Sequence, residues 1–135
     1  MLEAQLKQVP FFGMLSKKEL SAVARQTDEV DLPPGRALTQ QGELGHEFFV
    51  IVDGTAEVIR DGAPLAELGP GDFFGEMALL DEDRRTATVR ATSPMKVIVM
   101  TRASFREIDR SMPRVHAAIA EAIKQRRAAQ HAAAR

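Results

Sequence analysis

Seven short β-rich runs lie between residues 28 and 101: EVDL, RALTQ, EFFVIV, TAEVIR, PLAEL, TATVRA and MKVIVM. The segments PPG, DGT, DGAP and GPGD cut them apart, each with a glycine or proline at the bend. Strands this short and this regularly spaced bury their apolar faces in a sandwich, jelly roll or barrel. The two ends of the chain differ. Residues 1–27 read as helical, because SKKELSAVARQ sets Leu20, Val23 and Ala24 at helical spacing, and Ser16 with Glu19 forms a capping-box pattern. After residue 101, RASFREIDRSM reads as a short helix broken at Pro113. PRVHAAIAEAIKQRRAAQHAAAR reads as a second helix with proline well placed at its start. The expected class is α+β, with the strands as a sandwich, jelly roll or barrel between an N-terminal helix and two C-terminal helices. Residues 1–135 form one domain, with the helical end at about 1–27, the barrel at about 28–101 and the C-terminal helices at about 102–135.

Composition narrows the function. A chain of 135 residues supports one core. A formal net charge of −1 supplies no global field toward nucleic acid or an anionic membrane. The absence of cysteine excludes disulfide and thiolate chemistry and fits a reducing compartment. MLEAQLKQVPFFGML lacks the apolar h-region of a secretory signal, and no apolar run approaches the roughly 20 residues of a membrane span. A soluble cytoplasmic protein is expected. His46, His116 and His131 share no close spacing with one another or with acids, so no metal site is expected. No G-x-S-x-G elbow and no GxxxxGK[ST] loop occurs. The last helix is basic, with Arg114, Lys124, Arg126, Arg127 and Arg135 against Glu121, but a lone basic helix is not a reading element for DNA.

The segment FFGEMALLDEDRRTATVRA, residues 73–91, carries the chemistry. It sets Glu76 and Arg85 among residues that belong in a core: Met77, Ala78, Leu79, Leu80, Ala87 and Val89. Burying unpartnered charge costs several kcal/mol or more, so each of the two needs a partner. EMALL can form one or two helical turns starting near Gly75, and the first N–H groups of such a helix are free to meet an anion. Arg85 opens the next strand and can fold back over the same spot, offering its fork to two phosphate oxygens. Thr86 adds a hydroxyl beside it. Glu76 should accept from sugar hydroxyls, as an acidic residue does from a ribose in dinucleotide sites. An anion cradle, an arginine and a sugar-reading carboxylate together describe one compact phosphate close to its own ribose, as in a cyclic mononucleotide. The competing reading of Glu76 and Arg85 is a structural ion pair that closes the turn. Asp81, Glu82, Asp83 and Arg84 read as a solvated charged turn.

The same segment resembles the phosphate-binding cassette of the cyclic nucleotide-binding domain family, which includes catabolite-activator-type regulators, regulatory subunits of cyclic-AMP-dependent kinase and cyclic-nucleotide-gated channels. The residues that carry the resemblance are F-G-E-x-A-L, the nine-residue step to Arg85 and the R-T-A-T-V exit. VPFFGMLSKKEL, the PPG turn, G-E-x-G before FFVIVDGTAEV, and LGPGDFFGE agree with it, so the likeness covers about residues 5–127. It implies that Glu76 binds the ribose 2′-OH and Arg85 the cyclic phosphate, with Gly75, Thr86 and the backbone of Met77 and Ala78 completing the cradle. When no ligand is bound, the two charges would in part answer each other. Val58, Ala66 and Leu68 fall where the family contacts the base, and packing explains them equally well. Arg126 falls where relatives swing a residue over the base as a lid, against a solvated basic face as the alternative.

The resemblance implies an eight-stranded antiparallel jelly-roll barrel with an N-terminal helix, a short cassette helix and two C-terminal helices, and a receptor and not an enzyme, with no cofactor. The expected ligand is cyclic AMP, with cyclic GMP or a cyclic dinucleotide as rivals, and a non-binding scaffold as the reading from another class. Thr86 tilts toward guanine, because its hydroxyl can reach a guanine amino group, whereas the apolar Val58, Ala66 and Leu68 offer guanine O6 nothing. As read, the chain stops before any helix-turn-helix module, so a stand-alone receptor is expected, with an unidentified effector protein or self-association as its output.

Overall fold

The computed structural model describes residues 2–81 and 83–133, the side chains of Leu2, Asp83 and 127–133 excepted. Its strands are β1 (Asp28–Leu32), β2 (Ala37–Thr39), β3 (Leu44–Gly45), β4 (Glu47–Asp53), β5 (Ala56–Arg60), β6 (Ala63–Leu68), β7 (Phe73–Phe74), β8 (Asp83–Arg84), β9 (Thr88–Ala91) and β10 (Met95–Thr101). The helices are α1 (Leu2–Lys7), α2 (Lys17–Ala24), α3 (Arg102–Ser111) and α4 (Pro113–Ala133), with 3-10 turns at Pro10–Phe12 and Glu76–Leu79.

The strands form an antiparallel sheet in the order β1-β10-β4-β7, a second in the order β2-β9-β5-β6, and a two-stranded ribbon β3-β8. This corrects the expected closed eight-stranded barrel: among the described residues there are ten strands, and hydrogen bonding does not run continuously around them. The chain leaves the first sheet at the end of β4 and enters the second at β5, so the two sheets face each other as a sandwich. Register shifts at Lys96/Val97, Ala37/Thr39 and Val58/Ile59 bend the strands where a closed cylinder would need regular pairing. The β5–β6 hairpin turns on Asp61 and Gly62, both at positive φ (53° and 78°), the combination that makes Asp-Gly a two-residue hairpin loop.

Why EFFVIV has no polar alternation follows from what lies on each side of it. Phe48 and Val50 face the helices, with Ile98 and Met100 of β10 beside them. Phe49 and Ile51 face the second sheet, packing with Ala56, Val89, Ala91, Met95 and Val97. Period-2 alternation thus supplies two cores, and the first sheet is the middle of three layers. The helical layer is not the single N-terminal helix expected. The capping box of Ser16 and Glu19 starts α2, but α1 precedes it, and Pro10 opens the separate 3-10 turn that inserts Phe11 and Phe12 into the core. Phe105 and Ile108 of α3 and Val115, Ile119 and Ile123 of α4 complete this cluster. Pro113 does separate α3 from α4, as the sequence indicates, yet the two helices remain joined. His116 lies on Phe105 with ring centroids 4.3 Å apart, and its Nδ1 is 3.6 Å from an Asp109 carboxylate oxygen.

Thr39 is a buried polar side chain that bridges β2 and β9. Its hydroxyl donates to Ala87 O at 3.1 Å and accepts from Val89 N at 3.1 Å, across the β2 bulge. Thr39→Val keeps the shape but leaves a buried N–H and a carbonyl unanswered. The expected loss is about 1–3 kcal/mol of unfolding free energy, read by chemical denaturation. An unchanged denaturation midpoint would show that the bulge does not need the hydroxyl.

Candidate functional site

The turn after β7 is built around one conformation. Gly75 sits at φ 84°, ψ 14°, the left-handed region that a side chain disfavours, and the 3-10 turn Glu76–Leu79 starts directly from it. The expected one or two helical turns amount to these four residues. Ala78 and Leu79 are buried and Met77 is half-buried against the helical-side core, so the apolar half of EMALL anchors the turn. Ala78 N donates to Gly75 O at 3.0 Å. The first N–H groups of a helical turn have no partner within it, and here they belong to Glu76 and Met77.

Arg85 follows β8, held by backbone bonds to the loop before β3. Arg85 N donates to Glu43 O at 2.7 Å, and Gly42 N donates to Arg85 O at 2.9 Å. Its guanidinium lies between two glycines. A Cβ on Gly45 would stand 2.5 Å from Arg85 Nε, and one on Gly75 would stand 2.7 Å from Arg85 Nη1 and 2.7 Å from Glu47 O. Arg85 Nη2 donates to Glu47 O at 2.6 Å. Among the described residues no carboxylate reaches ion-pair distance of it, so the expected mutual pairing of Glu76 and Arg85 is corrected: they share a neighbourhood but not a bond. Burial, foremost, pushes the Arg85 pKa below its usual value; Arg102 adds to that push, while the Glu47 and Glu76 carboxylates oppose it.

Glu76 meets Arg126 instead. Its side chain is only 12% exposed, and Oε1 lies 3.6 Å from Arg126 Nε, close enough for charge attraction and too long for a hydrogen bond. Arg126 Nε is buried without a hydrogen-bond partner, and the guanidinium carbon stands 4.5 Å over the Phe73 ring. The long α4 therefore brings a cation onto the turn, at the position singled out for a lid. Arg127, weighed beside it, has its side chain outside the described residues. Thr86 is exposed at the same mouth, and its carbonyl accepts from Arg60 Nε at 3.2 Å. Val58 pairs with Ala66 across β5–β6 and with Val89 across β5–β9. Val58 and Leu68 are half-buried against the inter-sheet core, while Ala66 is exposed. Asp81 and Arg84 are exposed, consistent with a solvated turn, although Arg84 also donates to Gly42 O at 2.6 Å. Glu82 lies outside the described residues.

Sequence reasoning met Gly45 only as the last residue of G-E-x-G, gave it no role at the site, and missed Glu47 and Arg102. Gly45 matters through the close approach of Arg85, and Glu47 through its main-chain oxygen, neither of which a residue pattern announces. Arg102 left one legible signal. It opens α3, and a cation at a helix N-terminus has the unfavourable sign for the helix dipole, which calls for a partner elsewhere. Among the described residues no cluster of His, Cys, Asp or Glu could hold a metal ion, and no helix is long and apolar enough to cross a membrane.

The chain is similar to known proteins. The family model for the cyclic nucleotide-binding domain matches residues 29–111. A cAMP-dependent protein kinase regulatory subunit of Emericella nidulans is 34% identical over 110 residues, covering 80% of this chain and 27% of that protein. The chain thus spans about a quarter of that relative's length. Among solved structures, the N-terminal domain of a transcriptional regulator from Streptomyces coelicolor A3(2) superposes with a TM-score of 0.85 at 24% identity, covering 97% of this chain and 95% of that one, which is a likeness of fold. The regulatory domain of Toxoplasma gondii PKA, crystallised with cAMP, has a TM-score of 0.71 at 31% identity over 79% of this chain and 42% of that one. With the sequence cassette, the sandwich and the family match all in agreement, this chain belongs to the cyclic nucleotide-binding domain family.

Proposed function

We propose that the protein is a receptor that binds cyclic AMP reversibly, without turning it over, and signals by moving its C-terminal helix. The observation that carries this reading is Arg85: a half-buried guanidinium between Gly45 and Gly75, fixed by one carbonyl and lacking a carboxylate partner among the described residues. A cation held this way is completed by an anion from outside, and its fork suits two oxygens of one phosphate. The N–H groups of Glu76 and Met77 lie on the same turn, and Thr86 flanks it. Glu76 reads the ribose 2′-OH at the spot where Arg126 stands, so ligand and Arg126 meet at one carboxylate. Arg126 then serves as the lid residue, with Phe73 as its resting platform. The output passes to an effector protein or to a second copy of the chain.

Base choice rests on Val58, Ala66 and Leu68, which are apolar. A guanine O6 left unpaired beside them costs about 1–3 kcal/mol. The Thr86 hydroxyl favours the second reading, a cyclic GMP receptor, by serving the guanine amino group, and it offsets only part of that cost. Cyclic AMP is therefore expected to bind more tightly than cyclic GMP in calorimetry, and Thr86→Ala to widen the gap. Tighter binding of cyclic GMP to the unmodified protein would decide for the second reading.

Substitutions at the two charged positions test them separately. Arg85→Ala and Arg85→Lys should both weaken cyclic AMP binding by tenfold or more with little change in unfolding, since charged hydrogen bonds contribute roughly 1.5–3 kcal/mol each and lysine lacks the fork. Affinities that barely move in both variants would remove Arg85 from the phosphate. Glu76→Gln should weaken cyclic AMP but leave its 2′-deoxy analogue nearly unaffected. Equal losses for the two nucleotides would make Glu76 a structural residue.

A further inference from the structure

The guanidinium of the arginine that opens α3 donates to three main-chain carbonyls. Arg102 Nε donates to Ala78 O at 2.7 Å, and Nη2 donates to Gly45 O at 2.8 Å and to Asp81 O at 3.0 Å. Its backbone N–H donates to His46 O at 2.9 Å. These acceptors belong to two pieces of chain. Ala78 O lies within the turn Glu76–Leu79 and Asp81 O just past its end, whereas Gly45 and His46 lie at the junction of β3 and β4. The last carbonyls of a helical turn have no partner inside it, and a cation there has the favourable sign. Arg102 thus pays the electrostatic penalty of sitting at the start of α3 and caps the far end of a different helix. Gly45 is shared: its Cα faces the Arg85 guanidinium and its carbonyl accepts from Arg102.

We infer that Arg102 is the positioning residue that couples the state of the Glu76–Leu79 turn to the placement of α3 and α4. The inference rests on the cyclic nucleotide reading of that turn. A ligand that draws the N–H end of the turn toward itself must move the carbonyls at its other end. Those carbonyls are bonded to a side chain whose own backbone begins α3. α3 in turn is joined to α4 through Phe105, Ile108, Ile119 and the His116 ring tilted over Phe105. Apolar contact between Leu79 and this cluster backs the connection, but such packing can slide. Hydrogen bonds from one planar group to three carbonyls on two segments fix direction as well as distance.

Two measurements test the brace. In nucleotide-free protein, Arg102→Met should speed amide hydrogen exchange at residues 76–81 and 102–105 together, because each segment loses its tie to the other. The chain has no cysteine, so spin labels at the exposed positions of R90C and K124C report the distance from β9 to α4 without background. Cyclic AMP should change that distance in the otherwise unmodified protein. In Arg102→Met the change should fall by half or more, with affinity about tenfold weaker. Arg102→Lys, which keeps the charge but cannot serve three carbonyls at once, should fall between. Should Arg102→Met fail to fold, Arg102→Gln carries the same comparison. Exchange that rises only at 102–105, with the ligand-induced distance change intact, would overturn the inference. Full recovery of both readouts in Arg102→Lys would also overturn it, leaving Arg102 a point charge. If the unmodified protein answers neither cyclic AMP nor cyclic GMP, the receptor reading falls, and the exchange data still decide whether the brace exists.

Discussion

Everything in this molecule depends on a sheet whose two faces are both buried. β4 and β10 lie side by side at its centre, and their alternate residues belong to different cores. Because neither face can turn to solvent, the register of this pair is fixed at every residue, and a slip of one position would exchange the two cores. The site inherits that precision. β4 begins at Glu47, whose carbonyl holds Arg85, and β10 ends at Thr101, whose hydroxyl accepts from Ser104 N to cap α3. Arg85 and the start of the C-terminal helices are therefore placed by the same end of one hydrogen-bonded pair, with Thr101 directly across from Glu47.

Two arginines then share a small volume around Gly45, and like charges so close disfavour each other. The arrangement holds because each takes backbone carbonyls rather than carboxylates: Glu47 O for Arg85, and Ala78, Gly45 and Asp81 oxygens for Arg102. Carbonyl dipoles orient a guanidinium without neutralising it. In the proposed reading, the charge that Arg85 keeps in this way is what meets the phosphate.

Much of this was legible in residue patterns. Turn-forming Gly and Pro between short β-rich runs marked the sheets, and Ser16 with Glu19 marked α2, because both signals are local. The cassette was legible because Gly75, Glu76 and Arg85 are odd residues for a core. What stayed hidden is non-local. Whether sheets close into a barrel depends on bulges that no composition reveals, such as the one at Thr39. The separate α1 and the 3-10 turn with Phe11 and Phe12 hid within a stretch read as continuously helical. The contact of Glu76 with Arg126 was missed for a like reason. Arg85 is nearer in sequence, but a helix of 21 residues delivers Arg126 from fifty positions away.

The join between α3 and α4 sets how far that helix must travel. Arg126 lies thirteen residues beyond Pro113, about 20 Å along the helix axis at 1.5 Å per residue. A tilt of about 10° at the proline carries a point at that radius by about 3–4 Å, which follows from the same rise per residue. Near the proline the same rotation moves atoms by only a fraction of an ångström, within what the tilted rings of His116 and Phe105 absorb by sliding. In the lid reading the helix is a lever with its fulcrum in the core, and a rearrangement too small to disturb packing at Val115 would, at the far end, separate a guarded carboxylate from an open one.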